Sequence, residues 1–216
     1  MSEDWLSRWE QGRTGWHEAA GNRGLQRYWP ELPAGSRVLV PLCGKAVDLL
    51  WLAERGMAVS GVELSEVAVR SFFAEHQIGF EIDDHSVLPV YRATDRPLSL
   101  YCGDYFRFAA EPYDALYDRG ALVALPGQQR PDYVAHTKDL LLRDAFRLVI
   151  TLEYDQSAVD GPPFSVLPDE VMRYWHDLER VDEFCESDSI PPKFRAAGLQ
   201  SIIEAVWAPE TRSRGR

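Results

Sequence analysis

The residues best placed to do chemistry lie in VLVPLCGKAVDLLWLAERGMAVSGVELS, residues 38–65. The segment reads as an apolar run, a tight turn, an amphipathic helix, a second apolar run and then an acid. In open α/β sheets, ligands bind beyond the carboxyl ends of the strands. Glu63 closes the second run about twenty residues after the turn, the spacing at which a carboxylate reaches ribose hydroxyls. A carboxylate there accepts from both hydroxyls at once. The turn itself, LCGKA from Leu42 to Ala46, carries one glycine, Gly44. A pyrophosphate needs close backbone approach and several glycines. The pattern therefore favours a nucleoside ligand without phosphates.

S-adenosylmethionine is such a ligand, with a sulfonium, an amino-acid zwitterion, a ribose and an adenine. A dinucleotide-dependent oxidoreductase is the natural rival on this fold and fits LCGKA less well. A non-catalytic cofactor-binding protein stays open, because strand–helix–strand units ending in an acid also occur without such ligands. Cys43 sits beside the turn, but no His lies near it in sequence. Its small side chain reads as a packing choice rather than a nucleophile. The five His residues are scattered without metal-ligand spacing, so no metal site is expected.

Positioning these residues requires a sheet. Strands are expected at Val38–Val40, Ala58–Val62, Leu98–Cys102, Tyr113–Tyr117 and Phe146–Leu152. Helices are expected over Ser2–Gln11, over a segment holding Leu25, Tyr28, Trp29 and Leu32, over Asp48–Arg55, after a Ser65 cap, over Pro131–Asp144 and near Val171–Asp177. Strand and helix alternate, which implies an α/β fold with a mostly parallel, doubly wound sheet. The stretch VDGPPFSVLPDEV is a proline-rich loop of the sort that covers active sites. FRAAGLQSIIEAVWAP reads as a short helix and a final strand pair, and ETRSRGR as a polar tail.

Composition narrows the partners. Lys and Arg total 23 against 34 Asp and Glu, a net charge of −11. A nucleic acid would be repelled over most of this surface. Three cysteines without a C-x-x-C pair fit a reducing compartment. There is no signal-peptide pattern and no run long enough to span a bilayer, so a cytoplasmic protein with no membrane partner is expected.

PLCGK with the AVDLLWLAERGMAVSGVELS that follows resembles the signature of the thiopurine S-methyltransferase family. Trp5 to His17, with W-x₃-W and GRTGWH, resembles its opening helix and lid. YCGDYF (Tyr101 to Phe106) resembles its adenine-side turn, and YDALYDRGALVALP (Tyr113 to Pro126) its fourth-strand motif. The likeness runs to about Tyr154 and is looser beyond. It implies a Rossmann-like class I methyltransferase with helices on both faces of the sheet and S-adenosylmethionine as cofactor.

By this resemblance Trp9 packs beside the cofactor, Leu42 offers backbone contact, Gly103 and Asp104 sit at the adenine edge, and Arg119 stands where cofactor and acceptor meet. Trp16 occupies a place where the family commonly has Phe in the acceptor pocket. A second acceptor-side arginine has no secure match, with Arg195 the nearest. The expected organisation is one domain and a monomer: a helical lid at 1–35, a cofactor core at 36–155, an acceptor-side part at 156–208 and a tail at 209–216. The residues also allow plainer roles: Trp5, Trp9 and Trp16 as core anchors, Asp104 as a helix cap, Asp118 as a structural partner of Arg119.

Methyl transfer from a sulfonium is an in-line displacement, and positioning alone contributes up to about 7–11 kcal/mol. The acceptor class implied is a small aromatic or heterocyclic thiol, with selenium or tellurium compounds as the alternative. Arg119 cannot act as a base near neutral pH. It can favour the thiolate electrostatically, the proton leaving to solvent, with no covalent enzyme intermediate.

Overall fold

The structure, a computed structural model, describes residues 2–12, 20–187 and 190–210. The chain forms two compact units, Met1–Tyr117 with Lys138–Ala145, and Asp118–Thr137 with Phe146–Arg216.

The first unit contains α1 (Ser2–Glu10), α2 (Arg23–Tyr28), β1 (Arg37–Pro41), α3 (Asp48–Glu54), β2 (Ala58–Glu63), α4 (Glu66–Glu75), β3 (Phe80–Asp83), β4 (Val90–Ala93), β5 (Leu98–Cys102) and β6 (Tyr113–Asp118), whose last residue opens the second unit. The strand order is β3-β4-β5-β2-β1-β6. Strands β5, β2, β1 and β6 pair in parallel, while β3–β4 and β4–β5 are antiparallel. The chain steps from β1 to β2 to β5 in one direction, and β6 lies on the other side of β1. This reversal is a topological switch point, the place at which open α/β sheets bind their ligands.

Local chemistry explains these elements. Ser65 caps α4 by accepting from the Ala68 amide at 3.3 Å, and Ala68, Val69, Phe72 and Phe73 form its buried face. Leu39, Leu49, Leu52 and Phe72 are fully buried. Each such side chain contributes about 1.5–3 kcal/mol on leaving water, so the strand–helix–strand unit is a firm base for the turns above it.

The second unit contains α5 (Ala121–Ala124), α6 (Arg130–Asp139), β7 (Leu141–Glu153), α7 (Pro168–Tyr174), β8 (Leu178–Glu186), α8 (Pro192–Ala196) and β9 (Ile202–Pro209). The last residues of α6 and the start of β7 belong to the first unit. Strand β9 lies between β7 and β8 and is antiparallel to both.

Several expectations need correction. The helix holding Leu25 stops at Tyr28, because Trp29 precedes Pro30 and is held extended at φ −70° and ψ 127°. The expected helix over Pro131–Asp144 begins at Arg130 and ends at Asp139. Leu141 already belongs to β7, which runs for 13 residues. The helix expected near Val171–Asp177 starts earlier, with Pro168 at its opening. The expected final strand pair is one strand, β9, whose partner β8 lies upstream. Strand–helix alternation fails at the β3–β4 hairpin; α7 and α8 still separate β7, β8 and β9, but β9 pairs antiparallel with both of its neighbours. The tail after Glu210 lies outside the described residues.

Candidate active site

Strands β1, β2 and β5 end nearly level, with Pro41 opposite Val62 and Glu63 opposite Cys102. The turn after β1 has an unusual backbone. Leu42 takes φ +48° and Gly44 φ +55°. The left-handed conformation costs a non-glycine residue about 1–2 kcal/mol, and such outliers gather where a ligand is held. The Trp9 ring of α1 lies against Gly44. A β-carbon there would sit 3.2 Å from its Cζ2. Trp9 is itself buried.

Glu63 fastens this turn. One carboxylate oxygen accepts from the Gly44 amide at 2.9 Å, the other from the Ser65 amide at 2.8 Å. Burial pushes the carboxyl up, against the opposing pull of the Ser65, Gly44 and Leu64 amides. Each oxygen keeps a second lone pair for a ligand hydroxyl. Behind the turn Cys43 is buried. Burial, with the charge of Glu63 added, pushes its thiol well above the ordinary range. A β-carbon on Gly61 would lie 2.7 Å from the Cys43 sulfur, which fixes that side chain as packing.

The turn after β5 is joined to Glu63 through the backbone. The Gly103 amide donates to the Glu63 carbonyl at 2.8 Å. Gly103 takes φ +151°, and a β-carbon there would meet Leu88 at 2.6 Å. Asp104 is exposed and caps the short turn Tyr105–Arg107, accepting from the Phe106 amide at 3.1 Å. The structure thus brings Trp9, Leu42, Gly44, Glu63, Gly103 and Asp104 together in the first unit. Trp16 lies outside the described residues.

Sequence reading missed Asp48 and Tyr117. Asp48 opens α3 and is buried. It accepts from the Asn22 amide at 2.7 Å and from the Tyr117 hydroxyl at 2.8 Å. Tyr117 stands near the end of β6, so this bond ties the start of α3 to β6. An acid at a helix start was the sole local signal.

Arg119 belongs to the second unit and is half-buried between Asp118 and α5. Asp118 is fully buried and caps α5, accepting from the Ala121 amide at 3.0 Å and from the Tyr133 hydroxyl at 2.7 Å. Burial pushes its carboxyl up to about 6. Arg195 lies on the exposed side of α8.

A one-glycine turn and an acid at the end of the next strand, beside the switch point of a parallel sheet, fit the class I methyltransferase architecture. The fold agrees. The chain is similar to the structure of 1,6-didemethyltoxoflavin-N1-methyltransferase from Burkholderia thailandensis, with a TM-score of 0.65 at 18% identity over 96% of this chain and 86% of that one. It is also similar to a TehB-like SAM-dependent methyltransferase from Corynebacterium glutamicum, with a TM-score of 0.52 at 17% identity over 97% and 98%.

Residues 1–212 match the thiopurine S-methyltransferase (TPMT) family. The chain is 44% identical over 214 residues to the thiopurine S-methyltransferase of Pseudomonas fluorescens, covering 96% of each chain. It is 41% identical over 212 residues to that of Photobacterium profundum, covering 97% and 98%. The chain therefore belongs to the thiopurine S-methyltransferase family and is an S-adenosylmethionine-dependent methyltransferase. The residues fit that cofactor: a buried carboxylate at the end of β2 with lone pairs left for hydroxyls, a turn without the glycines of a pyrophosphate site, and close approach at Gly44 and Gly103. Among the described residues, no helix is long and apolar enough to cross a membrane.

Proposed function

We propose that this enzyme methylates the sulfur of a small aromatic or heterocyclic thiol, by in-line displacement and without a covalent enzyme intermediate. The observation that carries this reading is the 44% identity, over nearly the whole chain, to a protein named thiopurine S-methyltransferase. The cofactor supplies an electrophilic methyl group on a positively charged sulfur. Glu63 holds the ribose, Leu42 and Gly44 present backbone to the amino-acid end, Gly103 and Asp104 border the adenine, and Trp9 backs the turn. Arg119 serves the acceptor. Cys43 takes no part as a nucleophile, since its thiol is buried and its pKa is raised.

Arg119 has the chemistry to stabilise a thiolate. Its guanidinium stays charged at every working pH and lowers the pKa of a thiol placed against it. The proton then leaves to solvent. The unpaired thiols, one of them the exposed Cys185, favour a reducing, cytoplasmic setting, and the chain acts there as a monomer on small molecules rather than nucleic acid. The test is the pH–rate profile of wild type and Arg119→Ala on one aromatic thiol. Turnover of the variant should fall most below the pKa of the free thiol and recover above it. An equal loss at every pH would remove thiolate stabilisation and leave Arg119 a positioning role.

A further inference from the structure

Arg130, at the start of α6, is 3% exposed, and its guanidinium reaches three separate segments. Nε donates to the Leu122 carbonyl at 3.1 Å and the Leu125 carbonyl at 2.9 Å. Nη2 donates to the Ser165 carbonyl at 3.1 Å, in the proline-rich loop. Nη1 donates to Glu170 on α7 at 2.7 Å. Only a planar, permanently charged fork serves a helix end, a loop and a carboxylate together.

These contacts converge on the segment that carries Arg119. Helix α5 follows Arg119 directly and is 4 residues long. Asp118 holds its amino end, and Arg130 takes up carbonyls at its carboxyl end, which an isolated helix leaves without partners. Tyr133, one turn along α6 from Arg130, grips Asp118 at 2.7 Å. The loop is tied to the same helix by the Phe164 amide, which donates to the Val123 carbonyl at 2.6 Å. It is also braced internally, with the Tyr154 hydroxyl on the Pro163 carbonyl at 2.6 Å and the Ser165 amide on Gln156 at 2.8 Å. The Arg130 end of the ion pair is buried and the Glu170 end is partly open to water, and such pairs often add little stability over apolar packing, so fixed geometry accounts better for the pair than stability does.

We propose that Arg130 is a positioning residue for the methyl acceptor: it clamps the proline-rich loop to the Arg119 segment and so sets the acceptor-binding wall without touching the acceptor. This rests on the acceptor-side reading of Arg119 given above. Arg130→Lys keeps the charge but loses the fork, so the loop and the Arg119 segment come apart while the cofactor-side turn is untouched.

The experiment compares wild type, Arg130→Lys, Arg119→Ala and Val206→Ala. The last is a core truncation in β9 of the same unit, which lowers Tm without meeting the clamp. KM for a thiopurine, kcat, Tm and the calorimetric Kd for S-adenosylhomocysteine are measured for each. Arg130→Lys should raise acceptor KM about tenfold, a misplacement effect, and leave the cofactor-product Kd within about twofold. Val206→Ala should lower Tm and leave acceptor KM unchanged. Acceptor KM within about twofold of wild type in Arg130→Lys, or an equal rise in Val206→Ala, overturns the proposal. Should Arg130→Lys fail to fold, Glu170→Gln retains an acceptor for Nη1 but loses the charge; it should raise acceptor KM about threefold, and an unchanged value overturns the proposal. Normal acceptor kinetics in Arg119→Ala would sink the acceptor-side reading and this proposal with it. A defect there beside an unaltered Arg130→Lys would sink this proposal alone.

Discussion

The turn after β1 and the turn after β6 both follow strands of the parallel centre, but they are held in different ways. The first is shaped by its own backbone: two departures into positive φ, at Leu42 and Gly44, fixed by one carboxylate from the neighbouring strand. The second is a short helix whose two ends are gripped by side chains that flank it in the chain, Asp118, held by Tyr133, at one end and Arg130 at the other. The first arrangement suits an invariant cofactor, because backbone geometry changes little when side chains do. The second suits an acceptor wall, because side-chain ties can be exchanged while the strands below stay in place.

Breaking the first turn should produce the largest effect. Glu63→Ala leaves the buried Gly44 and Ser65 amides without acceptors, at a cost of roughly 2–6 kcal/mol in urea unfolding. Affinity for S-adenosylhomocysteine should fall at least tenfold, the loss of about one charge-assisted hydrogen bond. Unchanged stability and affinity would show that the turn supports itself.

The second turn should show itself in pH dependence. Asp118 has its carboxyl raised to about 6 by burial, against the pull of the Tyr133 hydroxyl and the Ala121 and Leu122 amides. A raised pKa means that the folded state prefers the protonated acid. The corresponding stability is present below the unfolded value and is lost as pH rises through about 6, a difference of about 3 kcal/mol. Asp118→Asn carries no such charge. Between about pH 3.5 and pH 7.5 the wild type should therefore lose up to about 3 kcal/mol more than the variant does. Parallel stability curves would mean that Asp118 is not a desolvated acid.

Two smaller changes test the backbone account. Gly44→Ala places a side chain at φ +55° and 3.2 Å from the Trp9 ring. It should cost about 1–2 kcal/mol in stability and weaken S-adenosylhomocysteine binding in calorimetry. At Leu42, Asn tolerates positive φ whereas Val resists it. Leu42→Asn should shift Tm less than Leu42→Val, the two differing by about 1 kcal/mol. If both variants melt together, the positive φ of Leu42 carries no strain.

The sequence by itself determined the parallel centre and the turn after β1. Short-range rules suffice there: the apolar run before Pro41, the Ser65 cap, the helical spacing of Val69, Phe72 and Phe73, and Glu63 at its distance from Gly44. The tertiary structure alone decided the rest. The hairpin of β3 and β4 and the long β7 carry weak or misleading local patterns, and the segment over Leu141–Asp144 extends the apparent α6 although it pairs as strand. The Asp48–Tyr117 bond joins residues 69 apart in sequence, and Arg130 meets Glu170 across 40. No periodicity records such pairs, because a buried charge chooses its partner only when the fold has removed water and left one carboxylate or hydroxyl within reach.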